Sequence, residues 1–187
     1  MTTLPVDSIL PRLRQAMSQH AHCLLVAQPG AGKTTRVPLA LLQDTSPGLR
    51  WLLLEPRRVA ARLAAAYMAE QLNENVGETI GYRVRGESRT GKNTRVEVLT
   101  QGILTRMLQD DPSLPGVAGL IFDEFHERSL DADLSLALAL DAQSGLREDL
   151  KILIMSATLD TDALLVVLAP DTPVIDCPGR TWPVATF

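Results

Sequence analysis

The hydrophobic positions of this chain fall into short continuous runs that are separated by longer stretches of mixed polarity. Runs rich in Leu, Val and Ile predict strands at 23–27, 51–55, 79–85, 95–100, 119–124, 151–157 and 173–177. Helix-forming stretches lie between most of them, at 57–72, 101–109, 132–144 and 161–168. Continuous apolar strands that alternate with helices are typical of a parallel sheet covered on both faces. The pattern therefore predicts an α/β fold with three layers and a mainly parallel central sheet.

One stretch, 133–141, fits two kinds of element. Its four leucines alternate with other residues as they would on a strand. Leu and Ala are also strong helix formers, and the apolar strands on either side need a crossover between them. We therefore predict a helix here.

Length and composition set the broad class of protein. The 187 residues, 45% of them hydrophobic, suit one domain, and we find no convincing linker or repeat. No apolar run approaches the roughly 20 residues of a membrane helix, and the two cysteines are far apart and in no CxxC pair. We expect a soluble cytoplasmic protein with reduced thiols and no membrane partner.

Charge is distributed unevenly along the chain. The net charge of −4 and the 4% of aromatic residues argue against a basic nucleic-acid coat protein. Residues 1–100 nevertheless carry 13 basic and 8 acidic side chains, whereas residues 101–187 carry 5 and 14. This asymmetry is compatible with a surface that binds polyanions, and equally with solvated faces that bind nothing.

A glycine-rich segment, "VAQPGAGKTT", follows the first predicted strand and begins a helix. In this position it predicts a phosphate-binding loop, with contacts from Gly30, Ala31, Gly32, Lys33, Thr34 and Thr35. Lys33 would reach the β- and γ-phosphates, and the Thr34 hydroxyl would ligate Mg²⁺. Ala27 stands where the usual motif begins with glycine, so a plain glycine-rich turn is the alternative interpretation.

Two adjacent carboxylates follow a second apolar strand in "GLIFDEFHERS". Asp123 suits the role of the aspartate that holds Mg²⁺ in phosphate-loop proteins, and Glu124 could accept a proton from an attacking water. With Lys33 they form the predicted catalytic set, which points to hydrolysis of a nucleotide. The alternative is the solvated start of a loop.

Five motifs together resemble a known family. "GAGKTT" (30–35), "PRRVAAR" (56–62), "TQGIL" (100–104), "DEFH" (123–126) and "SAT" (156–158) occur in the order and approximate spacing of motifs I, Ia, Ib, II and III of the superfamily 2 DEAH-box helicases. "DEFHERSL" with "PRRVAAR" is most similar to a bacterial branch of that family. The resemblance covers about residues 26–158 and implies a RecA-like P-loop NTPase domain. It also implies ATP or ADP with Mg²⁺ as cofactors, and coupling of ATP hydrolysis to RNA unwinding or remodelling.

The resemblance further implies roles for single residues outside the phosphate site. His126 would link the ATP site to a second domain, and Ser156 and Thr158 would couple nucleotide state to the grip on nucleic acid. A capping histidine and two hydroxyls that close a strand are the alternatives. Contacts to the sugar-phosphate backbone of single-stranded RNA, or of DNA, are implied for Arg57, Arg58, Arg85 and Thr100. The turn that carries Arg85 could instead be a solvated hairpin.

Besides Ala27, and Phe125 in place of the alanine of the family's name motif, two features depart from the family pattern. Tyr67 stands where many relatives carry an arginine that stacks on adenine, and its ring could either stack or be buried in the core. The Gln-Arg-Gly-Arg motif of the second RecA-like domain does not occur in the sequence. We therefore expect residues 1–187 to be the first motor domain alone, without the second motor domain or the C-terminal region, and nearly inactive by itself.

Two other functions remain open at this point. The chain could be a self-contained P-loop nucleotide hydrolase or switch with no role in nucleic-acid binding. It could also be a nucleic-acid-binding module whose phosphate loop is only structural.

Overall fold

The computed structural model describes residues 3–158 and 160–179. Within these ranges eight strands form a single sheet: β1 (His22–Ala27), β2 (Arg50–Glu55), β3 (Ile80–Val84), β4 (Glu87–Arg89), β5 (Val96–Thr100), β6 (Val117–Phe122), β7 (Lys151–Ser156) and β8 (Val174–Cys177). A 3₁₀ helix (Pro5–Ser8) precedes six α-helices: α1 (Leu10–Gln19), α2 (Lys33–Leu42), α3 (Arg58–Gln71), α4 (Gln101–Asp110), α5 (Leu130–Gly145) and α6 (Asp162–Val167).

The sheet is parallel apart from one edge strand. Its order is β4-β3-β5-β2-β6-β7-β1-β8, and only β4 runs antiparallel to its neighbour, β3. Parallel strands align their carboxyl ends at one edge, and in sheets of this kind ligands bind there. The predicted α/β fold with a mainly parallel sheet is therefore confirmed.

The helices cover both faces of the sheet, as the continuous apolar strands predict. Along β2, Trp51 and Leu53 pack with the side of the core that includes residues of α1, α2 and α3. Leu52 and Leu54 pack with the opposite side, among residues of α4, α5 and α6. This alternation follows from the period of two in a strand, and it explains why strands buried on both faces are apolar at every position.

The ambiguous stretch 133–141 lies inside α5, so the predicted helix is confirmed. Ser129 caps this helix, because its hydroxyl oxygen accepts a hydrogen bond of 3.0 Å from the amide of Ala132. Asp131 and Asp133 lie in the first turn, where carboxylates favour the positive end of the helix dipole. The cap and the charges decide between helix and strand where the spacing of the leucines cannot.

Several element boundaries differ from the sequence pattern. The strand predicted at 119–124 ends at Phe122, so Asp123 and Glu124 lie in the turn that follows. Residues 86–93, for which the pattern predicts no strand, contain the short strand β4, which pairs with β3. The N-terminal segment, for which the pattern predicts no element, forms the 3₁₀ helix and α1. Leu13 and Met17 of α1 are buried against the sheet.

No helix in the described part of the chain is long and apolar enough to cross a membrane.

Candidate functional site

The candidate site lies at the carboxyl edge of the sheet. The neighbouring strands β2, β6, β7 and β1 end there at Glu55, Phe122, Ser156 and Ala27. A cavity of about 780 Å³ opens beside them. It extends from the start of α2 along α3, and we call it the cradle cavity. Its lining consists of Thr34, Thr35, Glu55, Pro56, Arg57, Val59, Ala60, Leu63, Ala64, Ala66, Tyr67, Glu70, Glu124 and Glu127.

The loop between β1 and α2 has the backbone conformation that a phosphate loop needs. Gly30 and Gly32 have φ angles of 80° and 89°, which glycine adopts without strain. Ala27, in place of the usual glycine, is the last residue of β1 and is not among the residues with positive φ. The amide of Val6 donates a hydrogen bond of 3.1 Å to the Ala31 carbonyl. The 3₁₀ helix therefore supports the loop.

Lys33 and Thr34 begin α2 and face the acidic turn after β6. The Lys33 side chain is only 3% exposed, and its Nζ lies 2.9 Å from Glu124 Oε1. The Thr34 hydroxyl donates a hydrogen bond to Asp123 Oδ2. The structure thus brings together the four residues that the sequence predicts to be central to the site.

Asp123 is fully buried at the end of β6. Its Oδ1 accepts a hydrogen bond of 2.8 Å from the amide of Glu124. The Thr34 hydroxyl and the Asp123 carboxylate are neighbouring oxygen donors, which is the chemistry that Mg²⁺ prefers. These two residues therefore fit the predicted magnesium site.

Glu55 is a site residue that the sequence analysis did not identify. It ends β2, is 3% exposed, and forms a hydrogen bond to the Asp123 carboxyl. Burial, and next the charge of Asp123, raise the pKa of Glu55 to about 10. Glu55 is therefore protonated at neutral pH. A carboxylate at the end of an apolar strand was the available signal, because the same pattern identified Asp123.

Glu124 has a strained backbone and two partners for its side chain. Its φ of 50° is in the left-handed region, which is uncommon for a residue other than glycine, and strained residues of this kind cluster at functional sites. One carboxylate oxygen contacts Lys33, and the other lies 3.1 Å from His126 Nε2. Glu124 thus connects the phosphate loop to His126.

His126 connects this turn to the end of β7. Its Nδ1 accepts a hydrogen bond of 3.1 Å from the amide of Ala157. An accepting Nδ1 places the ring proton on Nε2, which can then donate to Glu124. Next to Ala157, the Ser156 hydroxyl accepts a hydrogen bond of 3.2 Å from the Thr158 amide. His126, predicted to link the site to a second domain, therefore lies next to Ser156 and Thr158, which are predicted to couple nucleotide state to the grip on nucleic acid.

Phe125 occupies the position at which the family's name motif has alanine. It is buried, packs edge-to-face on Phe122 with ring centroids 6.0 Å apart, and has Arg128 over its ring. Its side chain therefore belongs to the core below the site.

A second cavity, of about 460 Å³, lies beside the starts of α3 and α4. We call it the basic groove. Arg58, Arg85 and Thr100 line it together, and so does Arg106, which the sequence analysis did not identify. Arg57, although adjacent to Arg58, lines the cradle cavity instead. The structure therefore brings three of the four predicted nucleic-acid residues together and places the fourth elsewhere.

Tyr67 lines the far end of the cradle cavity. It is 52% exposed, so the alternative in which its ring is buried in the core is wrong. Val59 and Leu63 precede it on the same face of α3 and are also exposed. An apolar wall therefore continues from the phosphate loop toward the tyrosine ring.

The fold and this arrangement define a RecA-like P-loop domain. A family model described as "DEAD/DEAH box helicase" matches residues 10–166. The chain therefore belongs to the DEAD/DEAH box helicase family.

Individual relatives support the same family. The chain is 55% identical over 98% of its length to the ATP-dependent RNA helicase HrpB of Escherichia coli K12, and 36% identical over 97% of its length to an HrpA homolog of Haemophilus influenzae. A crystal structure of the E. coli DEAH/RHA helicase HrpB matches 97% of the chain with a TM-score of 0.90 and 56% identity. The predicted similarity to a bacterial branch of the family is therefore confirmed, and the bacterial relative concerned is HrpB. The chain spans 23% of the HrpB protein and 14% of the HrpA homolog.

The raised pKa of Glu55 predicts a pH dependence of stability. Between about pH 4.5 and pH 10 the folded protein holds a proton on Glu55 that the unfolded chain releases. The free energy of unfolding therefore falls as pH rises through this window. Glu55→Gln removes this contribution, so we expect it to raise the free energy of unfolding at pH 8 by on the order of 1–3 kcal/mol.

Urea unfolding of both proteins at pH 5 and pH 8 measures this effect, with the exposed Glu148→Gln as the matched control. The same pH dependence in the wild type and in Glu55→Gln would show that Glu55 does not hold the proton.

Proposed function

We propose that this chain is the first motor domain of an ATP-dependent RNA helicase, and that it binds ATP or ADP with Mg²⁺ and single-stranded RNA. The observation that carries the proposal is the convergence of Lys33, Thr34, Asp123 and Glu124 at one edge of the sheet. A phosphate loop, a buried aspartate and an adjacent glutamate are the parts that nucleotide hydrolysis requires. The names of the relatives, ATP-dependent RNA helicases, agree with this function.

In the proposed reaction Lys33 changes its partner from the Glu124 carboxylate to the γ-phosphate. Its ammonium group is paired with Glu124. A γ-phosphate at the loop would compete for the same group, and Glu124 would then be free to accept a proton from the attacking water. Mg²⁺, held by Thr34 and Asp123, would supply charge neutralisation for the phosphates. The protein's own part is to position Glu124 and to exclude water from Asp123.

We propose that His126 carries the state of the site toward a second domain. Its ring contacts Glu124 on one side and the Ala157 backbone on the other. A change in the partner of Glu124 therefore alters a hydrogen bond at the end of β7, where Ser156 and Thr158 lie. These contacts form a continuous chain from Lys33 through Glu124 and His126 to the end of β7, along which the coupling would run.

RNA would bind in the basic groove by its sugar-phosphate backbone. Arg58 and Arg85 supply guanidinium groups, and Thr100 supplies a hydroxyl and the start of α4. No aromatic side chain lines this groove among the described residues, so stacking on bases is not expected. Backbone contacts give weak sequence preference, and single-stranded DNA has the same phosphate chemistry.

We further propose that residues 1–187 are a single domain of a longer cytoplasmic protein, in which a second RecA-like domain completes the ATP site. The relatives are several times longer than this chain, which supports a further domain. Arginines that reach a γ-phosphate from another domain accelerate hydrolysis by roughly 10³–10⁵. The isolated domain would therefore bind nucleotide without rapid turnover.

The nucleotide part of the proposal predicts that Lys33→Ala weakens the binding of Mg-ADP. The variant loses a charged contact to phosphate, which corresponds to roughly a 10- to 100-fold increase in Kd. Titration of the labelled nucleotide with each protein measures the change, and Lys92→Ala, on an exposed turn, is the control. Unchanged affinity in folded Lys33→Ala would count against a phosphate loop that works.

The proposed RNA binding in the basic groove predicts that RNA affinity falls with salt and that individual arginines set the steepness of this fall. Each neutralised phosphate of a single strand contributes about −0.7 to the slope of log K against log salt. We expect Arg58→Gln and Arg85→Gln each to make the slope less steep by about this amount. Lys151→Gln, at the start of β7 and thus at the opposite edge of the sheet, should leave the slope unchanged. A flat salt response in the wild type would eliminate the groove as an RNA site.

A further inference from the structure

Two adjacent arginines diverge into different cavities at the start of α3. Arg57 is the N-cap, with extended φ and ψ angles of −132° and 142°, whereas Arg58 is the first helical residue. Their side chains therefore leave the backbone in different directions. Arg57 lines the cradle cavity and Arg58 lines the basic groove.

Arg57 has a defined partner within the cradle cavity. Its guanidinium nitrogen Nη2 donates hydrogen bonds to both carboxylate oxygens of Glu127, at 2.7 and 2.9 Å. The Arg57 side chain is 70% exposed and that of Glu127 is 35% exposed, so the pair lies at the mouth of the cavity. This ion pair joins the start of α3 to the turn after β6.

The cradle cavity is acidic, which is unfavourable for a polyanionic ligand. Glu70, Glu124 and Glu127 line it beside the protonated Glu55, and Arg57 is the one basic side chain among its described lining residues. Lys33 lies at the loop itself and is paired with Glu124. Without Arg57, Glu127 would lose the one ion pair that it forms among the described residues, and its negative charge would face an entering nucleotide.

We propose that Arg57 sets the affinity for nucleotide by neutralising Glu127, and that it does not bind the RNA backbone. This inference rests on the proposed nucleotide-binding function. Arg57 acts through Glu127 and is a positioning residue for charge at the cavity mouth. The two arginines then have different roles, because Arg57 affects nucleotide binding whereas Arg58 contacts the nucleic-acid backbone.

Variants in which neutral glutamine replaces a charged side chain test the proposal, because it predicts whether each variant raises or lowers the Kd. Arg57→Gln leaves Glu127 unpaired, so the Kd for fluorescently labelled Mg-ADP should rise by about two- to fivefold, the range of an exposed ion pair. Glu127→Gln leaves the Arg57 cation unpaired, so the same Kd should fall by a similar factor. The double variant carries neither charge and should return to within about twofold of the wild type.

A second measurement separates Arg57 from the nucleic-acid residues. With a labelled oligouridylate, Arg57→Gln should retain the wild-type salt slope, while Arg58→Gln loses about 0.7. An equal decrease of the salt slope in both variants would show that Arg57 contacts the nucleic acid, as the sequence predicts, and would overturn the proposal.

The nucleotide titration can also overturn it. If the double variant binds Mg-ADP as weakly as Arg57→Gln, then Arg57 contacts the nucleotide directly and does not act through Glu127. If all variants bind as the wild type does, Arg57 has no role at this site. Failure of the wild type itself to bind Mg-ADP would instead refute the proposed function, so the two failures are distinguishable.

Discussion

The burial of the Asp123 carboxyl group constrains the rest of the site. A carboxylate without solvent is costly unless hydrogen-bond donors surround it. Here the donors come from three separate places, which are the Thr34 hydroxyl, the Glu124 amide and the carboxyl group of Glu55. Because these lie on α2, on the turn after β6 and at the end of β2, satisfying one buried group fixes the relative positions of all three segments.

The turn after β6 also has an unusual backbone. Glu124, whose amide donates a hydrogen bond to Asp123, has a φ of 50°. In that conformation the Glu124 carboxylate lies between Lys33 and His126. A strained backbone is therefore part of what holds the glutamate in reach of both partners, and through His126 the site is joined to the end of β7.

The sequence predicts the parts of this site that depend on local patterns. Phosphate-loop residues and strand-end carboxylates follow apolar runs, so their meeting at one edge can be inferred from a parallel sheet. Contacts that depend on the direction in which a side chain leaves the backbone could not be inferred from the sequence. Arg57 and Arg58 are adjacent residues of the same type, and their side chains enter different cavities because the backbone of Arg57 is extended and that of Arg58 is helical. The support of the loop by Val6 depends on how the N-terminal segment packs against the loop, which no local pattern in the sequence indicates.

By the proposed function, this domain binds nucleotide but does not hydrolyse ATP rapidly by itself. The rate of ATP hydrolysis by the 187-residue chain, with and without single-stranded RNA and with Glu124→Gln as the blank, tests this directly. Together with measurable nucleotide binding, a rate no greater than the blank is the predicted result. Turnover near the ~1–100 s⁻¹ of efficient phosphoryl-transfer enzymes, unaffected by RNA, would show that the site is complete within this domain and that the domain is a self-contained hydrolase.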